Sequence, residues 1–192
     1  MTDVITKSQR LVHPSLHTLE AQDLLAVGAM AARCSRETIY HRFHGFIDLP
    51  TYLASLLTTD QTTIVAWSQG CCVGFASLAG GPQGHEVAVL VEDRWQRHGV
   101  GSALIEGVVE VARQRHLSLL HADVLHEDAF SLRILGRYGR LEVALDYGCY
   151  SVVVHLEENP APTDHSDGRA NGAINGRASG AMAELSSHVW SN

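Results

Sequence analysis

The sequence predicts an α/β domain: a mixed, mostly antiparallel, twisted sheet with flanking helices and one parallel βαβ crossover. Three patterns lead there. Two runs, 62–67 and 72–78, flank the turn Ser68-Gln69-Gly70 and read as a hairpin. An amphipathic stretch, 101–115, carries Leu104, Ile105, Val108, Val111 and Ala112 on one side and lies between apolar strands at 86–91 and 118–124. Strand, helix, strand at that spacing is a crossover. Two further strands, 141–146 and 150–156, close the domain.

The remaining elements follow in order. A helix over 21–34 has Leu24, Leu25, Val27 and Met30 as its apolar positions. Ser35, with Glu37 and Thr38, marks the start of a second helix through Tyr40 and Phe43. Pro50 suits the first turn of a third, over 51–57. Gly80-Gly81-Pro82-Gln83-Gly84 reads as a loop before the strand at 86–91, and 128–138 as a helix. The folded domain is expected over 11–157. From 158 to 192 the chain is rich in Gly, Asn, Ser and Ala, too poor in apolar residues to offset the entropy of ordering, and is expected to be a flexible tail. Its last piece, 181–190, is less polar and could dock on this or another subunit, so a homodimer is among the expectations.

Composition narrows the function. Of 192 residues, 45% are hydrophobic and 18% charged, enough for a globular core. No apolar run approaches the roughly 20 residues of a membrane span, and residues 1–10 lack the apolar core of a signal peptide, so no membrane partner is expected. A formal net charge of −7 argues against a nucleic-acid partner, whose binders carry a basic face. Cys34, Cys71, Cys72 and Cys149 show no zinc spacing; the adjacent pair would point to opposite faces of a strand, and reduced thiols in a cytoplasmic protein are the simplest reading. His41 and His44 stand at i, i+3 without a third ligand, so no metal is expected.

The chemistry concentrates in Val89-Leu90-Val91-Glu92-Asp93-Arg94-Trp95-Gln96-Arg97-His98-Gly99-Val100-Gly101-Ser102. A buried strand enters a short loop, and the loop becomes a helix at the two glycines. A helix N-terminus presents unpaired N–H groups and the positive end of a dipole, which suits an anion. Glycine lets backbone approach a phosphate, and Arg94, Arg97 and His98 add positive charge. A dinucleotide fingerprint would need a third glycine where Leu104 stands, and a Walker loop would need Lys-Ser/Thr after Gly101, which is followed by Ser102 and Ala103.

Gln96-x-x-Gly99-x-Gly101 in this setting resembles the acetyl-CoA signature of the GNAT acetyltransferases. Val124-Leu125-His126-Glu127-Asp128, then Leu132, Leu135 and Gly139, is similar to that family's next strand, turn and helix, with Asp128 in place of the usual Asn and Arg140 in place of Phe. His17-Thr18-Leu19, Asp23, residues 35–43 and Glu86-Val87-Ala88 resemble the acetyltransferase domain of Pat-type bacterial protein lysine acetyltransferases.

The resemblance implies acetyl-CoA as cosubstrate, held by Val89, Leu90, Val91, Gln96, Arg97, His98, Gly99, Val100, Gly101, Ser102 and Asp128. It implies Glu86 as general base toward a primary amine, and a backbone N–H near Leu90 or Val91, at an irregular strand position, for the developing oxyanion. The family's usual Tyr acid falls on Leu135, so no general acid is assigned; Tyr138 and Tyr150 are the nearest hydroxyls in sequence. Three functions stay open: acetyl transfer to a protein lysine, acetyl transfer to a small amine, or acyl-CoA binding without turnover.

Overall fold

Seven strands form one sheet, in the order β1-β2-β3-β4-β5-β7-β6, in a computed structural model that describes residues 13–43, 45, 47–57, 61–81, 84–126, 128–146 and 148–157. The expected tail over 158–192 lies outside these residues. The strands are β1 (Ser15–Thr18), β2 (Gln61–Ser68), β3 (Cys71–Gly81), β4 (Gly84–Val91), β5 (Leu119–Leu125), β6 (Gly139–Asp146) and β7 (Cys149–Leu156). All neighbours pair antiparallel except β4 and β5. The helices are α1 (Leu24–Ala31), α2 (Arg36–Phe43), α3 (Leu49–Ser55), α4 (Val100–Gln114) and α5 (Ala129–Leu135). This is the mixed, mostly antiparallel sheet with one crossover, β4–α4–β5, that the periodicity predicts.

The differences from the sequence reading are local. β1 has all four residues exposed, so it lacks the alternation that reveals a strand; it is held by β2, from Ser15↔Trp67 to Thr18↔Ile64. The helix expected over 21–34 is a short 3₁₀ turn, Ala21–Asp23, followed by α1. The glycine-rich segment expected as a loop is mostly strand: β3 continues to Gly81, β4 begins at Gly84, and these two residues face each other. Glycines suggest a loop to a propensity argument, but here they end a tight hairpin.

Two hydrophobic clusters cover the two faces of the sheet. Val100, Leu104, Ile105, Val108, Val109 and Ala112 of α4 pack on Ile64, Ala76, Leu78, Val87, Leu120 and Val152. Their spacing is that of one helical stripe. On the other face, Val27, Met30 and Ala31 of α1 pack with Leu56 on Val65, Phe75 and Leu90. A register shift between Ala66 and Trp67 opposite β3 resets the alternation. Cys72 and Phe75 therefore share one cluster, and Val73 and Ala76 the other, although each pair is three residues apart.

Gly139 starts β6 opposite Leu156. A Cβ built there would stand 1.8 Å from the His155 carbonyl oxygen. Only glycine lets the two backbones meet so closely. Gly139→Ala is expected to lower stability in urea denaturation by about 1–3 kcal/mol.

Candidate active site

β4 keeps β3 as a partner along its whole length, from Gly81↔Gly84 to Gly74↔Val91. Its parallel pairing with β5 ends after two rungs, His85↔Leu120 and Glu86↔His121. From Val87 onward β4 and β5 diverge, while β5 keeps β7 on its other edge along its whole length. The Glu92 N–H donates to the Val73 carbonyl at 3.0 Å. Stepping back along β4 in twos, the N–H and C=O groups of Leu90, Ala88 and Glu86 also face β3, while those of Val91, Val89 and Val87 face the gap. A side-chain amide confirms the direction at one point: Gln96 Nε2 donates to the Val91 carbonyl at 3.1 Å.

This geometry sorts the strand residues. The Val89 and Val91 amides line the gap. The Leu90 amide faces β3, and its side chain, 1% exposed, belongs to the α1 side of the core. Of the two positions expected for the oxyanion donor, Val91 alone faces the gap. The expected irregularity is not on β4, whose register against β3 is unbroken; it lies one strand away, between β2 and β3.

Beyond Val91 a 3₁₀ turn, Asp93–Trp95, leads to Arg97 with φ 62° and Gly99 with φ 91°. Gly99 is the N-cap of α4 and offers no side chain to its first amides. Val100 is fully buried and anchors the helix in the core, and Ser102 is half-buried in the first turn. A Cβ built on Gly101 would touch only Val91 Cγ2, at an ordinary 3.8 Å. The fold itself therefore tolerates a side chain at Gly101. What the glycine leaves is clear access to uncapped N–H groups at the end of a helix dipole, beside the gap, as a phosphate requires.

The charges around this turn are distributed differently from the sequence reading. Glu92, 3% exposed, accepts from Arg33 Nη2 and Nε at 2.7 and 3.0 Å and pairs with Arg94 Nε at 2.6 Å. Arg94 thus spends its Nε on a buried carboxylate while its side chain stays 59% exposed. The Arg97 guanidinium lies 4.6 Å from the Phe130 ring centroid on α5 and has no ion pair among the described residues. His98 Nδ1 donates to the Gln96 carbonyl at 2.7 Å, which leaves Nε2 as the ring's other polar atom. Gln96 is turned back toward Val91 and Thr38, with Nε2 3.1 Å from Thr38 Oγ1.

Asp93 ties the turn to α2. It accepts from the Ser35 N–H at 2.9 Å and from Thr38 Oγ1 at 3.0 Å. Burial raises its carboxyl pKa, but the hydrogen bonds from Ser35 and Thr38 outweigh this and hold it below the usual value. Sequence reasoning missed this network because Glu92 and Asp93 look like loop carboxylates. The only signal was an acidic pair at a strand end followed by Arg94.

Asp128 is the N-cap of α5: its carboxylate accepts from the Ser131 N–H at 3.3 Å and from the Ser131 hydroxyl. Neither Arg97 nor Arg133 forms an ion pair with it among the described residues. Leu135 is 3% exposed in the core. Tyr138 packs against the same cluster, and burial raises its phenol pKa. Tyr150 stacks on His126 at 5.3 Å. Burial pushes the Cys34 thiol up to about 12 and the Cys72 thiol to about 11, so neither supplies a thiolate at neutral pH. Glu86 is exposed, on the α1 side of the sheet, at the rung where β4 and β5 part. Among the described residues no three His, Cys, Asp or Glu side chains converge as metal ligands; His41 sits 4.0 Å from Glu37 on exposed α2, and His44 lies outside them.

The model of the acetyltransferase (GNAT) family matches residues 30–139. No curated protein matches the sequence. Among solved structures, the GNAT domain of S. lividans PAT is similar with a TM-score of 0.65 and 21% identity, over 74% of this chain and 90% of that one. yncA of Salmonella typhimurium, solved with acetyl-CoA, gives 0.59 and 18%, over 81% and 100%. The Escherichia coli ribosomal-protein-S18-alanine N-acetyltransferase gives 0.60 and 18%, over 79% and 99%. At these identities the structural likeness is one of fold.

Two outcomes are expected. Gly101→Glu places an acidic side chain in the first turn of α4, which favours the helix dipole, while opposing a phosphate; calorimetry should show acetyl-CoA affinity down by at least about tenfold, with stability not lowered. Asp93 has a folded pKa below its unfolded one, so its stabilisation is complete above the ordinary carboxylate value and is lost as pH falls through the folded one. Below about pH 4 the urea midpoint of the wild type should therefore drop more steeply than that of Asp93→Asn.

Proposed function

Because the chain belongs to the acetyltransferase (GNAT) family, we propose that it is an acetyl-CoA-dependent N-acetyltransferase whose acceptor is a primary amine, with a protein lysine as the first candidate. One observation carries this reading: the gap between β4 and β5 opens beside the uncapped N-terminus of α4, so an extended chain can run along the edge of β4 with its phosphates on the helix. In this reading Gly99, Val100, Gly101 and Ser102 supply the backbone cradle. Arg97 and His98 add charge at its rim, Gln96 braces the turn, and Val89 and Val91 offer amides along the arm. Leu90 backs the strand from the core, and Asp128 fixes the start of α5.

A strand rises about 3.4 Å per residue, so Glu86 lies about 17 Å from Val91 along β4. That puts the cradle and the base at opposite ends of the open edge, with the thioester between them. A lysine ammonium has a reference pKa of about 10.4 and must lose a proton before it attacks. The Glu86 carboxylate takes that proton directly or through water. The amine nitrogen then attacks the carbonyl carbon, and a gap-facing N–H of β4 between Glu86 and Val91 meets the charge that develops on oxygen. As the C–S bond breaks, the coenzyme A thiolate takes its proton from solvent, since Leu135 carries no hydroxyl. The fold also supports acceptors of other kinds; the Escherichia coli structure named above acetylates a protein alanine.

The test is coenzyme A release from acetyl-CoA with poly-L-lysine, spermidine and n-butylamine as acceptors. Turnover with poly-L-lysine alone supports a protein acceptor, turnover with the small amines alone moves the function to metabolite acetylation, and release with none sinks the catalytic reading. Glu86→Gln keeps the shape and hydrogen bonding of the side chain but accepts no proton. It is expected to lower kcat by about 10²–10⁴-fold and to abolish the rising limb of the pH–rate profile, with acetyl-CoA affinity unchanged. A raised KM with intact kcat would instead make Glu86 an attractor of the cationic acceptor.

A further inference from the structure

We propose that His121 is a positioning residue for Glu86, taking the carboxylate as the hydrogen-bond partner of its buried Nε2 and receiving the proton that the carboxylate takes from the acceptor. The inference rests on the reading of Glu86 as general base.

The two side chains share a face. Leu120, Ala122 and Val124 of β5 pack on the α4 side, so His121 points to the other, as Glu86 does. The register makes them direct neighbours on adjacent strands, Glu86↔His121, at the last rung before the gap. Neighbouring strands lie about 4.8 Å apart, which brings a carboxylate and an imidazole within one rotamer of a hydrogen bond.

The surroundings are built for the ring. His121 lies over Gly84, where an added Cβ would stand 2.9 Å from both Cδ2 and Nε2. A side chain at that position would evict the imidazole. Nε2 is buried and has no hydrogen-bond partner among the described residues. A buried polar atom without a partner costs about 1–3 kcal/mol, and in a native site that calls for an explanation. Glu86 has no ion pair or hydrogen bond among the described residues either. The Glu86 carboxylate, leaning back along β4 toward Gly84, would supply the ring with its missing partner.

Other charges on that face are either committed or farther off. On β5 the next residue on the face is Asp123, exposed two positions on. On β7 the register partner is Val153. His155, two positions further, is bound 3.0 Å from Glu142 of β6, which also holds Arg140 at 2.9 Å. Glu86 is the carboxylate directly beside His121.

The proton balance is simple. The ammonium gives up two protons in becoming an amide. One passes to Glu86 and on to His121, which releases it to solvent after turnover. The other leaves as the C–N bond forms and the C–S bond breaks, and coenzyme A takes up one proton as its thiol.

The test uses the full-length chain, acetyl-CoA and the three amines named above. His121→Gln is expected to lower kcat about 10-fold to 10²-fold, with KM for the amine and acetyl-CoA affinity unchanged. The double variant Glu86→Gln/His121→Gln should be no slower than Glu86→Gln, because the two groups act as a unit. Added imidazole should restore part of the kcat of His121→Ala, but not that of Glu86→Gln/His121→Ala; a merely structural histidine would not be rescued. Wild-type kcat in His121→Gln, or strictly multiplicative losses in the double variant, would overturn the proposal and leave Glu86 as base. Wild-type kcat in Glu86→Gln, or no coenzyme A release by the wild type with any of the three amines, would overturn both.

Discussion

Everything in this site depends on β4 having one partner too few. A strand inside a sheet normally spends its backbone groups on both sides. Here β4 spends one side on β3 and, past Glu86, leaves the other to whatever enters the gap. Val87, Val89 and Val91, which alternate with the residues bonded to β3, therefore keep their amides open to the gap. The same constraint explains why α4 begins where it does, since the crossover has to leave the top of β4 and return beside it at β5. The opening is made by topology, and side chains only decorate it.

Holding such an opening requires bracing, which comes from the N-terminal helices. Arg33, at the end of α1, reaches Glu92 and the Cys72 carbonyl, the latter at 3.0 Å. Asp93 takes the first amide and a hydroxyl of the α2 start. Two adjacent carboxylates thus fasten α1 and α2 to the turn between β4 and α4. A charge as buried as Glu92 is tolerated because two guanidinium groups meet it. The two N-terminal helices and the turn between β4 and α4 are thereby parts of one hydrogen-bonded frame.

Much of this was legible in sequence, because the features that position the gap are periodic. The stripe from Leu104 to Ala112 identified α4, and the alternation around Ser68-Gln69-Gly70 identified the hairpin. Gly99 and Gly101 marked the helix start. What escaped were features without a periodic signature. β1 shows no buried face, and the glycines at 80, 81 and 84 looked like loop because propensity cannot see that Gly81 and Gly84 oppose each other. The partner of Arg94 is its own near neighbour Glu92, and nothing in the residue order says which of two loop carboxylates is buried. Whether Leu90 or Val91 faces the gap is a question of pairing direction, answered by a single hydrogen bond from Glu92 to Val73.

The bare start of α4 has a consequence of another kind. Gly99 provides no cap, so the first turn of a fifteen-residue helix is left energetically unfinished. A phosphate that takes up those amides completes the helix, and it can do so only on the folded chain. Binding and folding are then linked by mass action: a ligand at a hundred times its dissociation constant adds about 2.7 kcal/mol to the unfolding free energy. The chain's resistance to proteolysis would then rise with the concentration of a ligand bound there.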